Sequence, residues 1–174
     1  STLTYDPGSF TMYGRLTGER GIRNRPSDAS AEAIGRTNPY HQWRLRWNLE
    51  FRANTHWSFQ SRVSRTFYQR EGSSPEKGWM AFQDAKYETQ SGDFYVVGRY
   101  GLFAIDDYRA RIFTYENDLL YTFSIPFFQD RGMRCYVLGR LNAFGNMSFW
   151  LKLGQTRYFN RSTVGSGYQQ IQDN

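Results

Sequence analysis

A chain of 174 residues with a net charge of +6 and a single cysteine is long enough for one domain with a sizeable core or wall. The lone Cys135 excludes an intrachain disulfide and a multi-cysteine metal centre. No apolar run approaches the roughly 20 residues of a transmembrane helix, and no signal peptide is visible, so the opening STLTYD reads as the start of a mature form or a fragment.

Aromatic residues (14 Phe, 13 Tyr, 5 Trp) outnumber the 22 Leu, Ile and Val, whereas water-soluble cores lean on branched aliphatics. Tyr and Trp in excess suit a surface that is apolar in its middle and wet at its ends. The cations are 19 Arg against 3 Lys, a choice that favours pairing with carboxylates or phosphates in confined space.

In chain order, residues 1–16 hold a short alternating piece (Leu3, Tyr5), a Pro7-Gly8 break, and Phe10, Met12, Gly14 and Leu16 on one face. Residues 17–38 are polar and rich in Gly, Pro and Ser, which predicts a long loop with at most one helical turn at AEAI, 31–34. Residues 40–52, YHQWRLRWNLEFR, alternate strictly. Trp43, Leu45, Trp47, Leu49 and Phe51 take one face, and Arg44, Arg46, Asn48, Glu50 and Arg52 the other, as in a β-strand between two different surroundings. Asn54-Thr55 predicts a tight turn.

Residues 56–69 alternate again, with Trp57, Phe59, Val63 and Phe67 opposite Ser58, Gln60, Arg62 and Ser64; Arg65 falls on the apolar face, which either places it near a strand end or weakens the strand reading of this segment. EGSSPEKG, 71–78, is a loop. Residues 79–90 set Trp79, Ala81, Ala85 and Tyr87 against Asp84, Lys86 and Glu88. After a turn at 91–93, residues 94–104 carry Phe94, Val96, Gly98, Tyr100 and Leu102 on one side. A polar break at 106–110, where Asp106-Asp107 reads as turn-forming, precedes a further predicted strand over 111–125. Its apolar face would hold Phe113, Tyr115, Leu119, Tyr121, Phe123 and Ile125, and its polar face Glu116 and Asp118. A loop at 126–132, a strand over 133–143, a turn at Gly145-Asn146 and a strand over 147–159 follow. The last fifteen residues read as a loop entering another strand.

This rhythm predicts about eight strands in a meander of hairpins. Twelve residues at about 3.3 Å, tilted by about 45°, cover on the order of 28 Å, close to the hydrocarbon thickness of a bilayer; ordinary soluble strands run about five or six residues. The expectation is therefore a single domain over 1–174. It is an all-β, antiparallel, up-and-down transmembrane barrel of about eight or more strands, or a fragment of a larger barrel whose final strand is lacking.

The segments Asp106-Asp107-Tyr108, Arg111-Ile112 and Tyr115-Glu116-Asn117-Asp118, with Thr163-Val164-Gly165-Ser166-Gly167, Ile171 and Asn174 downstream, resemble the barrel regions of Bacteroidota outer-membrane proteins. The family it resembles has a helix-hairpin-helix (ComEA-like) region before its barrel. The likeness covers about the last 80 residues. It implies the C-terminal part of a longer protein of the Gram-negative envelope, located in the bacterial outer membrane, and it brings no catalytic residues.

The expected role is structural or transport-related: a narrow, porin-like pore, or the barrel subunit of a membrane protein complex. Arg44, Arg46, Glu50, Arg62, Glu116, Asp118, Arg140 and Lys152 are the expected lumen-facing residues, and Trp43, Leu45, Trp47, Leu49 and Phe51 the lipid-facing ones. The expected partners are outer-membrane lipids, lipopolysaccharide and other envelope proteins, with no nucleic acid. No catalytic centre, metal or cofactor is expected: His41 and His56 stand about 15 residues apart at opposite ends of one strand, up to roughly 50 Å along it, and no phosphate loop, zinc spacing or nucleophile elbow is present. The rival reading is a soluble β-barrel binding nucleic acid or an apolar ligand. Nucleic-acid binding requires aromatics on the same face as the arginines; an apolar-ligand barrel requires aromatics inside and arginines outside.

Overall fold

The computed structural model describes residues 2–5, 9–24, 37–123, 125–143, 147–160, 163–164 and 171–172. No α-helix occurs among them, so none could cross a membrane. Eight strands form one antiparallel sheet: β1 (Thr2–Tyr5), β2 (Phe10–Asn24), β3 (Thr37–Arg52), β4 (Trp57–Arg70), β5 (Glu76–Glu88), β6 (Phe94–Ile105), β9 (Asp130–Ala143) and β10 (Met147–Tyr158). Each pairs with its neighbour in sequence, except that β6 pairs with β9 across an insertion. The insertion holds a 3-10 turn (Tyr108–Ala110) and a two-stranded ribbon of β7 (Ile112–Phe113) and β8 (Phe127–Phe128). A second ribbon joins β11 (Thr163–Val164) to β12 (Ile171–Gln172). The sheet ends at β1 and β10, and no ladder joins these two among the described residues, so no closed barrel is found among them.

The register divides the side chains cleanly. Arg46, Asn48 and Glu50 of β3 lie across from Ser64, Arg62 and Gln60 of β4, and these from Met80, Phe82 and Asp84 of β5. This face is the buried one, and one cavity on it is lined by β2, β3, β4, β5 and β6 together, which makes it concave. The other face carries Trp43, Leu45, Trp47, Phe51, Val63, Trp79, Val137, Leu151 and Leu153, all exposed. Water-soluble sheets bury the apolar face; here the order is inverted.

Ends differ as well. At one end β3–β4, β5–β6 and β9–β10 are joined by four, five and three residues, while at the other β6–β9 takes 24 residues and β2–β3 takes 12, beside a five-residue β4–β5 connection. These are called below the turn end and the long-loop end. At the turn, Asn54 Oδ1 accepts from the backbone N–H of His56 (2.9 Å) and Trp57 (2.8 Å), an Asx arrangement that tightens the reversal.

Several elements differ from the sequence reading. The polar loop expected over 17–38 is shorter, because β2 continues to Asn24 and β3 begins at Thr37; each polar residue there is held by a cross-strand partner. The helical turn expected at AEAI and the Gly145-Asn146 turn lie outside the described residues. The strand expected over 111–125 is absent from the wall. Residues 112–116 are extended and alternate in burial, but they lie across the concave face; Tyr121 then takes a left-handed φ of 63° that breaks the run. The loop expected at 126–132 contains β8 and the start of β9.

Candidate functional site: the filled concavity

The insertion, residues 106–129, fills the long-loop end of the concavity. Ala110, Ile112 and Phe128 pack against Met80, Phe82, Phe103 and Ile105, with Tyr158 at the margin; the Phe103 and Phe128 rings are 5.0 Å apart. Gly78 leaves the space this requires, since a Cβ there would stand 2.8 Å from the Ala110 carbonyl oxygen. Asp107 caps the 3-10 turn by accepting from the Arg109 N–H, and Asp106 accepts from the Lys77 N–H at 3.1 Å, so both aspartates shape the chain reversal.

Polar latches hold the insertion to the wall. Glu116, 1% exposed, accepts two bonds from Arg134 (3.0 and 2.9 Å) and lies 3.6 Å from Lys152, which also reaches Asp118 at 3.3 Å. Arg99 forms a two-pronged pair with Asp84 (2.6 and 2.7 Å) and donates to the Tyr115 carbonyl (2.6 Å), its guanidinium 3.7 Å from the Phe82 ring centroid. Arg109 pairs with Glu76 at 3.0 Å. A planar guanidinium bonded to a carboxylate by two parallel N–H groups is the strongest and most directional of these devices.

Beside the insertion, Asn48 is fully buried and ties three strands together. Its Oδ1 accepts from Arg62 Nε (2.9 Å) and Gln60 Nε2 (3.1 Å), and its Nδ2 donates to Glu50 (2.9 Å). Arg62 continues to the Tyr13 hydroxyl at 3.2 Å. This network separates two spaces. Toward the turn end lies a polar cavity of about 480 Å³ whose lining includes Glu50, Arg52, Gln60, Asp84 and Lys86. Toward the long-loop end lies one of about 360 Å³ lined by Arg15, Arg44, Arg46 and Arg111. Arg15 and Arg46 are direct cross-strand partners, a like-charge juxtaposition that costs energy; Arg44 is neutralised by Glu19 at 3.2 Å.

Arg44, Arg46, Glu50, Arg62, Arg140 and Lys152 stand on the concave face of their strands. Glu116 and Asp118 reach the same space from the insertion rather than from a wall strand, the correction noted above. Arg140 lies apart from the other latches, toward the turn end, donating to the Gly92 carbonyl at 2.9 Å and 3.6 Å from Glu88. Trp43, Leu45, Trp47, Leu49 and Phe51 share the convex face. His41 stands on β3 and His56 in the β3–β4 turn, and they do not meet: His41 is exposed, and His56 Nδ1 sits 2.9 Å from the Glu88 carbonyl. Sequence reasoning missed Arg99, Arg134 and Tyr136. Each alternates with small or apolar convex residues (Gly98 and Tyr100; Met133, Cys135 and Val137), and that alternation was the available signal.

No group of His, Cys, Asp and Glu among the described residues is arranged to hold a metal ion. No protein-family model, curated protein or solved structure matches the chain.

Proposed function

We propose that the chain builds the wall of an outer-membrane β-barrel whose bore is filled by its own insertion, and that it serves as a structural barrel subunit of an envelope assembly. The observation that carries this reading is the inversion of faces. Convex side chains in mid-wall include the aliphatics Val63, Val137, Leu151 and Leu153 beside the aromatics Trp47 and Tyr100, and aromatics recur toward both ends: Phe51, Trp57, Phe94 and Phe149 at the turn end, Trp43 and Trp79 toward the long loops. An outward apolar band flanked by aromatic residues is what a membrane barrel presents to lipid. From Trp57 to Phe67, about 33 Å of strand tilted by about 40° gives a band near 25 Å, the height expected. Short turns at one end and long connections at the other support a periplasmic turn end and an extracellular long-loop end. The resemblance to the ComEA-like barrel regions of Bacteroidota agrees with this reading, and the residues that carry it at 106–118 are those of the insertion. An assembly role rests on the insertion's outward surface, where Tyr121 is 99% and Phe123 72% exposed; exposed aromatics in one segment mark a contact surface.

The test is the mobility of the detergent-extracted chain with and without boiling. A shift on boiling, from protein recovered in the membrane fraction, supports the reading. Recovery in the soluble fraction with no shift overturns it in favour of a soluble sheet protein. A second reading, a narrow anion-selective pore, is favoured by the pocket of Arg15, Arg44, Arg46 and Arg111, because rings of cations select anions. It requires ion conductance across a planar bilayer whose anion preference falls in Arg46→Glu.

A further inference from the structure

We infer that the convex face near the long-loop end binds the phosphate-bearing headgroup of an anionic lipid, seated across β4, β5, β6, β9 and β10. The inference rests on the membrane reading and names the lipid that the wall would retain.

Convex-face charge is strongly asymmetric. Among the described residues, no Arg, Lys, Asp or Glu stands on this face in the turn-end halves of the strands, whereas Arg65, Lys77, Arg131 and Arg157 are all exposed there toward the long-loop end. Pairing puts Arg65, Trp79, Ala104 and Arg131 in one cross-strand row. Lys77, which pairs with Phe67, is the diagonal neighbour of Arg65, and Arg157, which pairs with Met133, is the diagonal neighbour of Arg131. Diagonal neighbours lie about 7–8 Å apart, and the two cation pairs are separated by three strand spacings, about 14 Å. Among the described residues none of the four forms an ion pair with a carboxylate; Arg65 lies over the Phe67 ring, at 4.8 Å, and the nearby Asp106 accepts from the Lys77 backbone N–H. Arginines held close to other cations without a carboxylate are matched by a doubly or singly charged phosphate, which accepts from two cations at once.

Below this row, toward mid-wall, β5, β6, β9 and β10 form an open groove of about 650 Å³ whose lining includes Ala85, Gly98, Tyr100, Val137 and Leu153. Ala85, Gly98, Val137 and Leu153 are consecutive cross-strand partners, so small side chains floor the groove and larger ones flank it. A cationic rim over an apolar trough fits one molecule with a phosphate head and an acyl chain; free phosphate would use only the rim.

The experiment takes the whole folded chain in a neutral detergent. Binding of dihexanoyl phosphatidylglycerol is measured by Trp fluorescence and native mass spectrometry, with dihexanoyl phosphatidylcholine and inorganic phosphate as comparison probes. Variants are Arg65→Gln with Lys77→Gln, Arg131→Gln with Arg157→Gln, all four together, and Arg52→Gln at the opposite end as control. Expected are a preference for phosphatidylglycerol of at least tenfold, a several-fold loss in each pair, loss of at least tenfold in the quadruple variant, and no change in Arg52→Gln. Equal binding of both lipids, equal competition by inorganic phosphate, or an unchanged quadruple variant would overturn the site. The boiling-dependent mobility shift is read on the same samples: a retained shift with no lipid preference refutes the headgroup site alone, and its absence in the wild-type chain refutes the membrane reading and the site with it.

Discussion

Replacing Glu116 with Ala tests whether the concavity is filled by a latched insertion. Glu116 is 1% exposed; its loss strands Arg134, whose side chain is 19% exposed, and removes one of two carboxylates from Lys152, 14% exposed, which keeps Asp118 at 3.3 Å. Removing one partner of a fully buried pair costs about 3–5 kcal/mol. Both cations here keep some access to water, so the cost falls to about 2–3 kcal/mol, and it weighs on the closed position of the insertion more than on the wall. At 1.4 kcal/mol per tenfold, the open population rises by about 30- to 140-fold. Amide hydrogen exchange of residues 106–129, and tryptic cleavage after Arg109 and Arg111, report that population directly when opening is fast and reversible. Adding Arg134→Met to Glu116→Ala removes one stranded charge, so the double variant exchanges more slowly than the two single effects combined predict. Exchange in Glu116→Ala equal to that of the wild type would refute the latch, and the filled-barrel reading with it.

In mid-wall, Val137→Arg adds a cation to the convex face at a cost of about 2–4 kcal/mol at the membrane midplane. It is expected to reduce membrane recovery more than Leu45→Arg, because Leu45 already pairs across from Arg65, while Arg46→Leu on the concave face leaves recovery unchanged; quantified membrane fractions decide. Asn48→Leu strips partners from Arg62, Gln60 and Glu50 and costs about 1–3 kcal/mol, seen as a lower denaturant midpoint with an unchanged slope. Gly132→Ala would drive a Cβ into the Arg157 carbonyl oxygen and to 2.7 Å from the Phe103 ring. The β9–β10 ladder must move, which lowers the midpoint by more than Gly98→Ala, where the nearest atom is 3.9 Å away.

The wall was legible because each of its strands faces two surroundings, and period-two alternation records that directly: Trp43 to Arg52 needed no other cue. Which face points inward was not fixed by alternation, and the buried Asp84–Arg99 pair and Asn48 hub supply that answer through burial. The insertion misled for a physical reason. A segment laid across a concave wall also alternates, with Ile112, Thr114 and Glu116 down and Phe113 and Tyr115 up, so its periodicity matched that of a wall strand. Only the turn chemistry of Asn117-Asp118 and Pro126 hinted otherwise. Arg134 stayed hidden because its partner, Glu116, is 18 residues earlier and arrives by a fold-back that no local pattern encodes.

The position of the insertion in the chain has a consequence for how the molecule assembles. Strands β3 to β6 pair through reversals of four or five residues, whereas β9 cannot find β6 until 24 intervening residues have been placed. Closing that loop rather than one of five residues costs only about 1.4 kcal/mol in chain entropy, and the ladder it allows, together with the Arg99 and Glu116 contacts, offsets this. Because the filler sits between two strands that must register with each other, completing the wall and filling its hollow become a single cooperative step, with the hairpin meander ahead of it.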